Sequence, residues 1–199
     1  MKDQGNYRPL SYFQLMEISL RELLVEKGIV TNEQVEATVE DMRNRTPERG
    51  AKVVARAWVD AEFKQRLLEN GTKACEELRL DVPALKLLAV ENTPQVHNAI
   101  VCTLCSCYPR MLLGIPPEWY KSRNYRSRMV REPRAVLAEF GLQIPGTTQI
   151  RVHDSTADMR YIVLPMRPAG TEGWSEERLA TLVNRDSMIG VAVPKGPND

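Results

Sequence analysis

The sequence predicts an α+β protein: a helical N-terminal arm over residues 1–80, followed by a mixed α+β metal-binding domain over residues 81–199. Three observations predict it. Helical periodicity dominates the first eighty residues, short apolar runs replace it after Pro83, and Cys102, Cys105 and Cys107 fall within six residues.

The arm is read first. Leu15, Ile18, Leu20, Leu23 and Leu24 recur at roughly helical spacing, and Gly28 ends the run. Thr31-Asn32-Glu33-Gln34 has the form of a capping box, opening a helix through Val35, Val39 and Met42. Pro47 interrupts. Val53, Val54, Ala57 and Trp58 mark another helix, and Phe63, Leu67 and Leu68 a short one before Asn70-Gly71. In the second domain, residues Leu85 to Val90 and Val96 to Val101 read as strands. Pro116-Pro117 opens a short helix with Trp119 and Tyr120, and Glu132-Pro133 opens one through Val136, Leu137 and Phe140. Gln149 to Val152 and Tyr161 to Leu164 read as strands paired with each other. Ser175-Glu176-Glu177 starts a final helix, with acids at its positive end, and Met188 to Val193 reads as a last strand.

Bulk properties narrow the function. The 27 basic and 26 acidic side chains give a net charge of +1, which supplies no field for nucleic acid or an anionic membrane. No apolar run approaches the roughly 20 residues that span a bilayer. Met1 to Tyr12 is polar and lacks the apolar core of a signal peptide, so a cytoplasmic location is expected. Thiols stay reduced there, and a cysteine cluster then reads as metal-binding or catalytic.

A structural zinc site needs four ligands, so it would have to recruit Cys75, His97 or His153. An iron–sulfur cluster needs a fourth cysteine, and Cys75 is remote in sequence. The tight spacing favours another reading. If Cys105 and Cys107 grip one ion, the peptide between them lies against it, bringing the amide nitrogens of Ser106 and Cys107 within bonding distance. An amide nitrogen binds after losing its proton, which calls for a strongly Lewis-acidic trivalent ion such as cobalt(III) or iron(III). Three sulfurs and two nitrogens leave one octahedral position free for chemistry.

The segment Cys102-Thr103-Leu104-Cys105-Ser106-Cys107 resembles the metal claw of the nitrile hydratase α subunit family. So do Val90-Glu91-Asn92-Thr93-Pro94 with His97-Asn98, the run from Leu113 to Lys121, Ala55-Arg56-Ala57-Trp58-Val59-Asp60, the run from Arg167 to Trp174, and Arg185-Asp186-Ser187-Met188-Ile189-Gly190. The resemblance implies a layered α/β/β/α core and hydration of a nitrile to an amide. Cys102, Cys105, Ser106 and Cys107 would hold the metal, and Cys105, Ser106 and Cys107 would form the catalytic group. It further implies a sulfinic acid at Cys105 and a sulfenic acid at Cys107. The Cys107 oxygen would attack the nitrile carbon or activate the water that does. Thr103 and Tyr108 resemble the cobalt branch, so Co(III) is expected, with Fe(III) as the alternative. The implied partner is a β subunit, or two smaller chains equivalent to it, with two arginines that face the oxidised sulfurs. The related thiocyanate hydrolase γ subunit and a non-catalytic metal-binding module are the competing readings.

Two departures bear on the substrate. Tyr108-Pro109-Arg110-Met111 replaces the usual Pro-Trp-Pro pattern, and His153 stands where a tryptophan is usual. Arg110 and Tyr108 are therefore candidate pocket residues for a larger, more polar nitrile, such as a nucleoside-like heteroaromatic one. The other reading pairs Arg110 with an acid on the partner subunit. Arg123, Arg126, Arg128 and Arg131 are expected in intersubunit salt bridges, His97 and His153 in core or surface roles, and Cys75 as an inert buried thiol.

Overall fold

Helices start in this chain where a side chain can satisfy free amides. At Ser11 the hydroxyl accepts from the Gln14 amide at 3.3 Å, and Gln14 Oε1 accepts from the Ser11 amide at 2.8 Å. That box opens α1 (Tyr12–Glu26). Gly28, with φ of +65°, turns the chain out of α1. Thr31 and Gln34 form the expected second box, with bonds of 3.2 and 2.9 Å, and α2 (Asn32–Asn44) follows. The computed structural model describes residues 9–82 and 86–197, which fall into two units divided between Asn44 and Arg45. In the first unit neither helix has a buried residue: Phe13, Leu15, Met16, Leu20 and Leu23 are all exposed.

The second unit begins with α3 (Pro47–Val59), where Pro47 occupies the first helical turn and needs no hydrogen-bond partner for its nitrogen. One face of α3 buries Ala51, Val53, Val54 and Ala57. Asp60 and Asn70 are extended residues whose side chains cap the next two helices. Asp60 Oδ1 accepts from the Phe63 amide at 2.8 Å to open α4 (Ala61–Glu69), and Asn70 Oδ1 accepts from the Lys73 amide at 3.1 Å to open α5 (Gly71–Glu77).

Four strands follow: β1 (Lys86–Glu91), β2 (Val96–Val101), β3 (Gln149–Asp154) and β4 (Met159–Leu164). Leu85, expected at the start of β1, lies outside the described residues. The pairing corrects the sequence reading. β3 and β4 do not pair with each other. β1 runs parallel to β4, from Lys86 against Met159 to Glu91 against Leu164, and β2 runs parallel to β3, from Val96 against Gln149 to Val101 against Asp154. The physical reason is burial. Five of the six β2 residues are buried, so its apolar run is satisfied between covering layers and needs a parallel partner reached by a crossover. That crossover carries α6 (Arg110–Leu113), α7 (Glu118–Lys121), α8 (Arg123–Met129) and α9 (Pro133–Glu139). Helix α6 and helix α8, the latter capped by Ser122, have no counterpart in the sequence reading.

The expected last strand from Met188 is also corrected. Residues Arg185–Ile189 form α11, opened by a box between Asn184 and Ser187, so α10 (Glu176–Ala180) is not the final helix. Met188, Ile189 and Val191 are buried, and a short apolar run buried on all sides carries no period to separate strand from helix. Helices α4 and α5 pack on β1, α9 on β3, and α11 on β2 and β4, giving sheets flanked by helices as the α+β reading expects.

Candidate metal centre

The crossover leaves β2 at the cysteines. Residues Ile100 and Val101 are fully buried, and their carbonyls accept from Tyr125 Oη and the Ser155 amide, each at 2.8 Å. This fixes the strand end from which Cys102 emerges. Cys102 is buried, Cys107 half-buried and Cys105 exposed. Their Sγ atoms all lie within 4.8 Å of one another, with Cys102 to Cys105 at 3.6 Å and Cys105 to Cys107 at 3.3 Å. For a metal–sulfur bond of about 2.3 Å, sulfurs on adjacent octahedral positions sit about 3.3 Å apart, and tetrahedral ones about 3.8 Å. The donor set therefore fits one ion. Among the described residues no other group of three His, Cys, Asp or Glu donors is gathered in this way.

The backbone of the loop is tied on three sides. Asp154, at the end of β3, accepts from the Thr103 amide at 2.9 Å and from Thr103 Oγ1 at 2.5 Å. Tyr120 Oη donates to the Cys107 carbonyl at 2.9 Å, and Arg126 Nη1 donates to the Cys105 carbonyl. Inside the loop the Cys105 amide donates to Cys102 Sγ at 3.3 Å. The thiols interact strongly. The Cys107 thiol as hydrogen-bond partner draws Cys105 down to about 7. Burial, followed by the same contact, pushes Cys107 up to about 12, against a pull downward from the positive Arg160. Metal binding to these thiols would release their protons.

Asp154 and Tyr120 are supports to which the sequence reading gave no role at the site, and Arg126, expected in an intersubunit salt bridge, donates to the claw backbone. Asp154 becomes legible only through the β2–β3 register, which sets it against Val101. Replacing it with alanine (D154A) should leave far-UV circular dichroism unchanged and lower metal retention by about tenfold, the scale for losing a residue that orients a ligand. Metal content after dialysis against a chelator checks this.

The remaining candidates are placed as follows. Tyr108 is 3% exposed and meets the Tyr120 ring edge-on at 5.1 Å; its buried hydroxyl has no hydrogen-bond partner, and burial pushes that hydroxyl's pKa upward. Arg110 is exposed at the start of α6. Cys75 is fully buried on α5, and burial pushes its thiol up to about 12, as befits an inert core residue. Arg128 pairs within its own chain, with Glu132 at 2.6 Å and Glu139 at 2.5 Å, which corrects the expectation of intersubunit bridges for that residue. A cleft of about 760 Å³ between α3, α10 and α11 is lined by Lys52, Glu176 and Arg185, among others, and by none of the claw residues.

The histidines belong to a buried polar chain instead. The Gly190 carbonyl, 2.7 Å from His97 Nε2, can only accept, so that nitrogen carries the proton and Nδ1 faces the Asn92 amide at 3.4 Å. His153 Nε2 donates to Asn98 Oδ1 at 2.8 Å, because Asn98 Nδ2 is spent on the Glu91 carbonyl and Asn92 Oδ1. Burial lowers both histidines below the ordinary 6.5, with Arg151 adding to the effect at His153. Below that value the unfolded chain takes up protons first, so stability should fall as pH drops from about 6.5 to 5 and stay flat just above. Urea unfolding midpoints across this range check it; the acid loss should shrink in His153→Gln.

Three sulfurs on one short loop, at the spacing of a single coordination sphere and on a strand end buried between helices, define a claw-type metalloprotein. The model of the family described as "Nitrile hydratase, alpha chain" matches residues 11–192, and the chain belongs to that family. The cobalt-containing nitrile hydratase subunit alpha of Pseudonocardia thermophila is 53% identical over 180 residues, covering 89% of this chain and 88% of the relative. Among solved structures, a recombinant thiocyanate hydrolase with partially modified cobalt centres is similar at a TM-score of 0.89 and 44% identity, covering 95% of this chain and 93% of that one. A double mutant of the Fe-type nitrile hydratase from Comamonas testosteroni Ni1 is similar at 0.88 and 44%, covering 96% and 94%. In addition, no helix among the described residues is long and apolar enough to cross a membrane.

Proposed function

We propose that this chain is the metal-carrying subunit of a cytoplasmic enzyme that hydrates a nitrile to its amide, assembled with a β subunit or with two smaller chains equivalent to it. The observation that carries the reading is the three-sulfur cluster with its 3.3 and 3.6 Å spacings in a chain of this family. Cys102, Cys105 and Cys107 would hold the ion by sulfur, and Ser106 and Cys107 by their amide nitrogens. Cobalt(III) is favoured by the 53% identity to a cobalt-containing relative, and iron(III) is the alternative raised by the Fe-type structure. The bound ion would supply Lewis acidity that makes the nitrile carbon electrophilic.

The chain's own groups supply the rest. Cys105 is carried as a sulfinate and Cys107 as a sulfenate, whose oxygen either attacks the nitrile carbon, with water then releasing the amide and restoring the sulfenate, or takes the proton of the attacking water and passes it to the nitrile nitrogen. Tyr120 and Asp154 hold the loop through the Cys107 carbonyl and Thr103, so that oxygen is fixed as it approaches the nitrile carbon. Arg110, exposed on α6, is the side chain that would meet a larger, polar nitrile, with the buried Tyr108 two residues before it as the second candidate pocket residue.

The test is co-expression with the partner chains. Bound cobalt, a mass gain of roughly 48 Da for three oxygens on two sulfurs, and amide formation are the expected results. Zinc on unmodified thiols would reduce the chain to a structural metal protein. Preference for acrylonitrile over a heteroaromatic nitrile would sink the substrate assignment. A second reading, thiocyanate hydrolysis, is favoured by the structural likeness at a TM-score of 0.89, and release of carbonyl sulfide from thiocyanate would select it.

A further inference from the structure

The Cys105 oxygen and the Ser106 nitrogen belong to one peptide. A peptide is planar and trans, so its C=O and N–H point to opposite sides. Whatever holds that oxygen also aims that nitrogen. The holder is Arg126 on α8, through Nη1. Arg126 is half-buried, and its Nε is closed off from solvent without an acceptor. Among the described residues no carboxylate pairs with Arg126, whereas Arg128 on the same helix is neutralised by Glu132 and Glu139. The Arg126 cation is therefore left to the claw backbone. Its helix is also tied to the strand that delivers Cys102, because Tyr125 donates to the Ile100 carbonyl at 2.8 Å.

The two claw carbonyls are served differently. Tyr120, a neutral donor, holds the Cys107 oxygen, whose peptide ends on the Tyr108 nitrogen. Arg126, a cation, holds the Cys105 oxygen, whose peptide ends on the Ser106 nitrogen. A nitrogen that binds a metal as an anion shares its charge with the oxygen of its own amide through the conjugated N–C–O unit. A charged donor at that oxygen is roughly twice as strong as a neutral one. The cation stands on one of the two peptides whose nitrogens would be ligands, the Cys105–Ser106 peptide.

We propose that Arg126 is a positioning residue of the claw, orienting the Cys105–Ser106 peptide and neutralising the charge its oxygen gathers when the Ser106 nitrogen is a ligand. The inference rests on the proposed ligand role of Ser106. It differs from the arginines expected of the partner subunit in acting on a backbone oxygen and not on an oxidised sulfur.

The test compares Arg126→Met with Arg126→Lys in the complex assembled with its partner chains. Methionine keeps most of the stem and drops the charge; lysine keeps the charge and drops the fork. The readouts are the rate of cobalt release to excess chelator and the visible sulfur-to-cobalt absorption. R126M should release cobalt about 10- to 100-fold faster and shift the absorption, the scale of losing a residue that orients a metal ligand. R126K should recover most of both. Equal behaviour of the two variants, whether both hold cobalt as the native complex does or both lose it alike, overturns the proposal; Arg126→Gln replaces R126M if the latter does not assemble. X-ray absorption of the native complex separates the premises: a shell of three sulfurs with no light donors defeats the Ser106 reading itself. Native ligation with indifferent variants defeats Arg126 alone.

Discussion

Replacing Cys107 with serine (C107S) in the assembled complex is expected to remove most of the cobalt and to lower hydration by more than about 10³-fold, the scale of losing several kcal/mol of transition-state stabilisation. The reason is chemical, since the two side chains are nearly isosteric. A serine hydroxyl stays protonated where a thiol yields a soft, polarisable anion, and the set that grips the ion drops from three sulfurs to two. The spacing of 3.3 Å between Cys105 and Cys107 also disappears as a coordination edge. Serine cannot climb to a sulfenate either, so the proposed nucleophilic oxygen is lost along with the ligand. Cys75→Ala provides the contrast. That thiol is buried on α5, outside the claw, and its loss should leave cobalt content unchanged. Metal analysis and amide formation on the two variants decide the matter: a C107S complex with full cobalt would remove Cys107 from the ligand set.

The claw was legible because its information is local. Three sulfurs within six residues need no tertiary knowledge to be brought together, and the structure places them within 4.8 Å of one another. The helix starts at Thr31 and Glu132-Pro133 were legible for the same reason, since a capping box acts over three residues and a proline suits the first helical turn. What surrounds the claw was not legible. Asp154 reaches Thr103 only because β2 and β3 run parallel in one register, across 51 residues of sequence. The pairing of β3 with β4 looked natural because only a few residues separate them, but β3 lies parallel to β2, which is buried at five of its six positions, and the β3 sequence alone does not announce that partner. Arg126 sat within a run of arginines expected in salt bridges, because Glu118 and Glu132 lie nearby and the net charge of the whole chain is only +1. Its distinct role comes from Arg128 taking both Glu132 and Glu139. The run from Met188 failed for another reason: its residues are apolar without a period, and the decisive signal was the Asn184–Ser187 box just before it.

Gly190→Ala is expected to destabilise the protein by about 2–5 kcal/mol, combining a left-handed backbone cost of about 1–2 with overpacking of about 1–3. For a chain of this length that lowers the melting temperature by about 4–20 °C. Gly190 ends α11 at φ of +90°, and a Cβ there would stand 2.1 Å from the Asn98 oxygen and 2.8 Å from Ala99 Cα. Both neighbours are backbone of β2, which cannot swing aside as a flexible side chain would. The strand is further fixed from that side, because the Gly190 carbonyl accepts from His97 Nε2. Pushing β2 away strains the strand four residues before Cys102, so cobalt retention should fall together with stability. Gly28→Ala separates the two costs: its φ is +65° but a Cβ would meet nothing within 4 Å, so only the backbone cost of about 1–2 kcal/mol applies. A Gly190→Ala protein no less stable than Gly28→Ala would mean that α11 does not press on β2 as described. A larger loss accompanied by weakened cobalt binding would tie the claw's geometry to a helix end 88 residues further along the chain from Cys102.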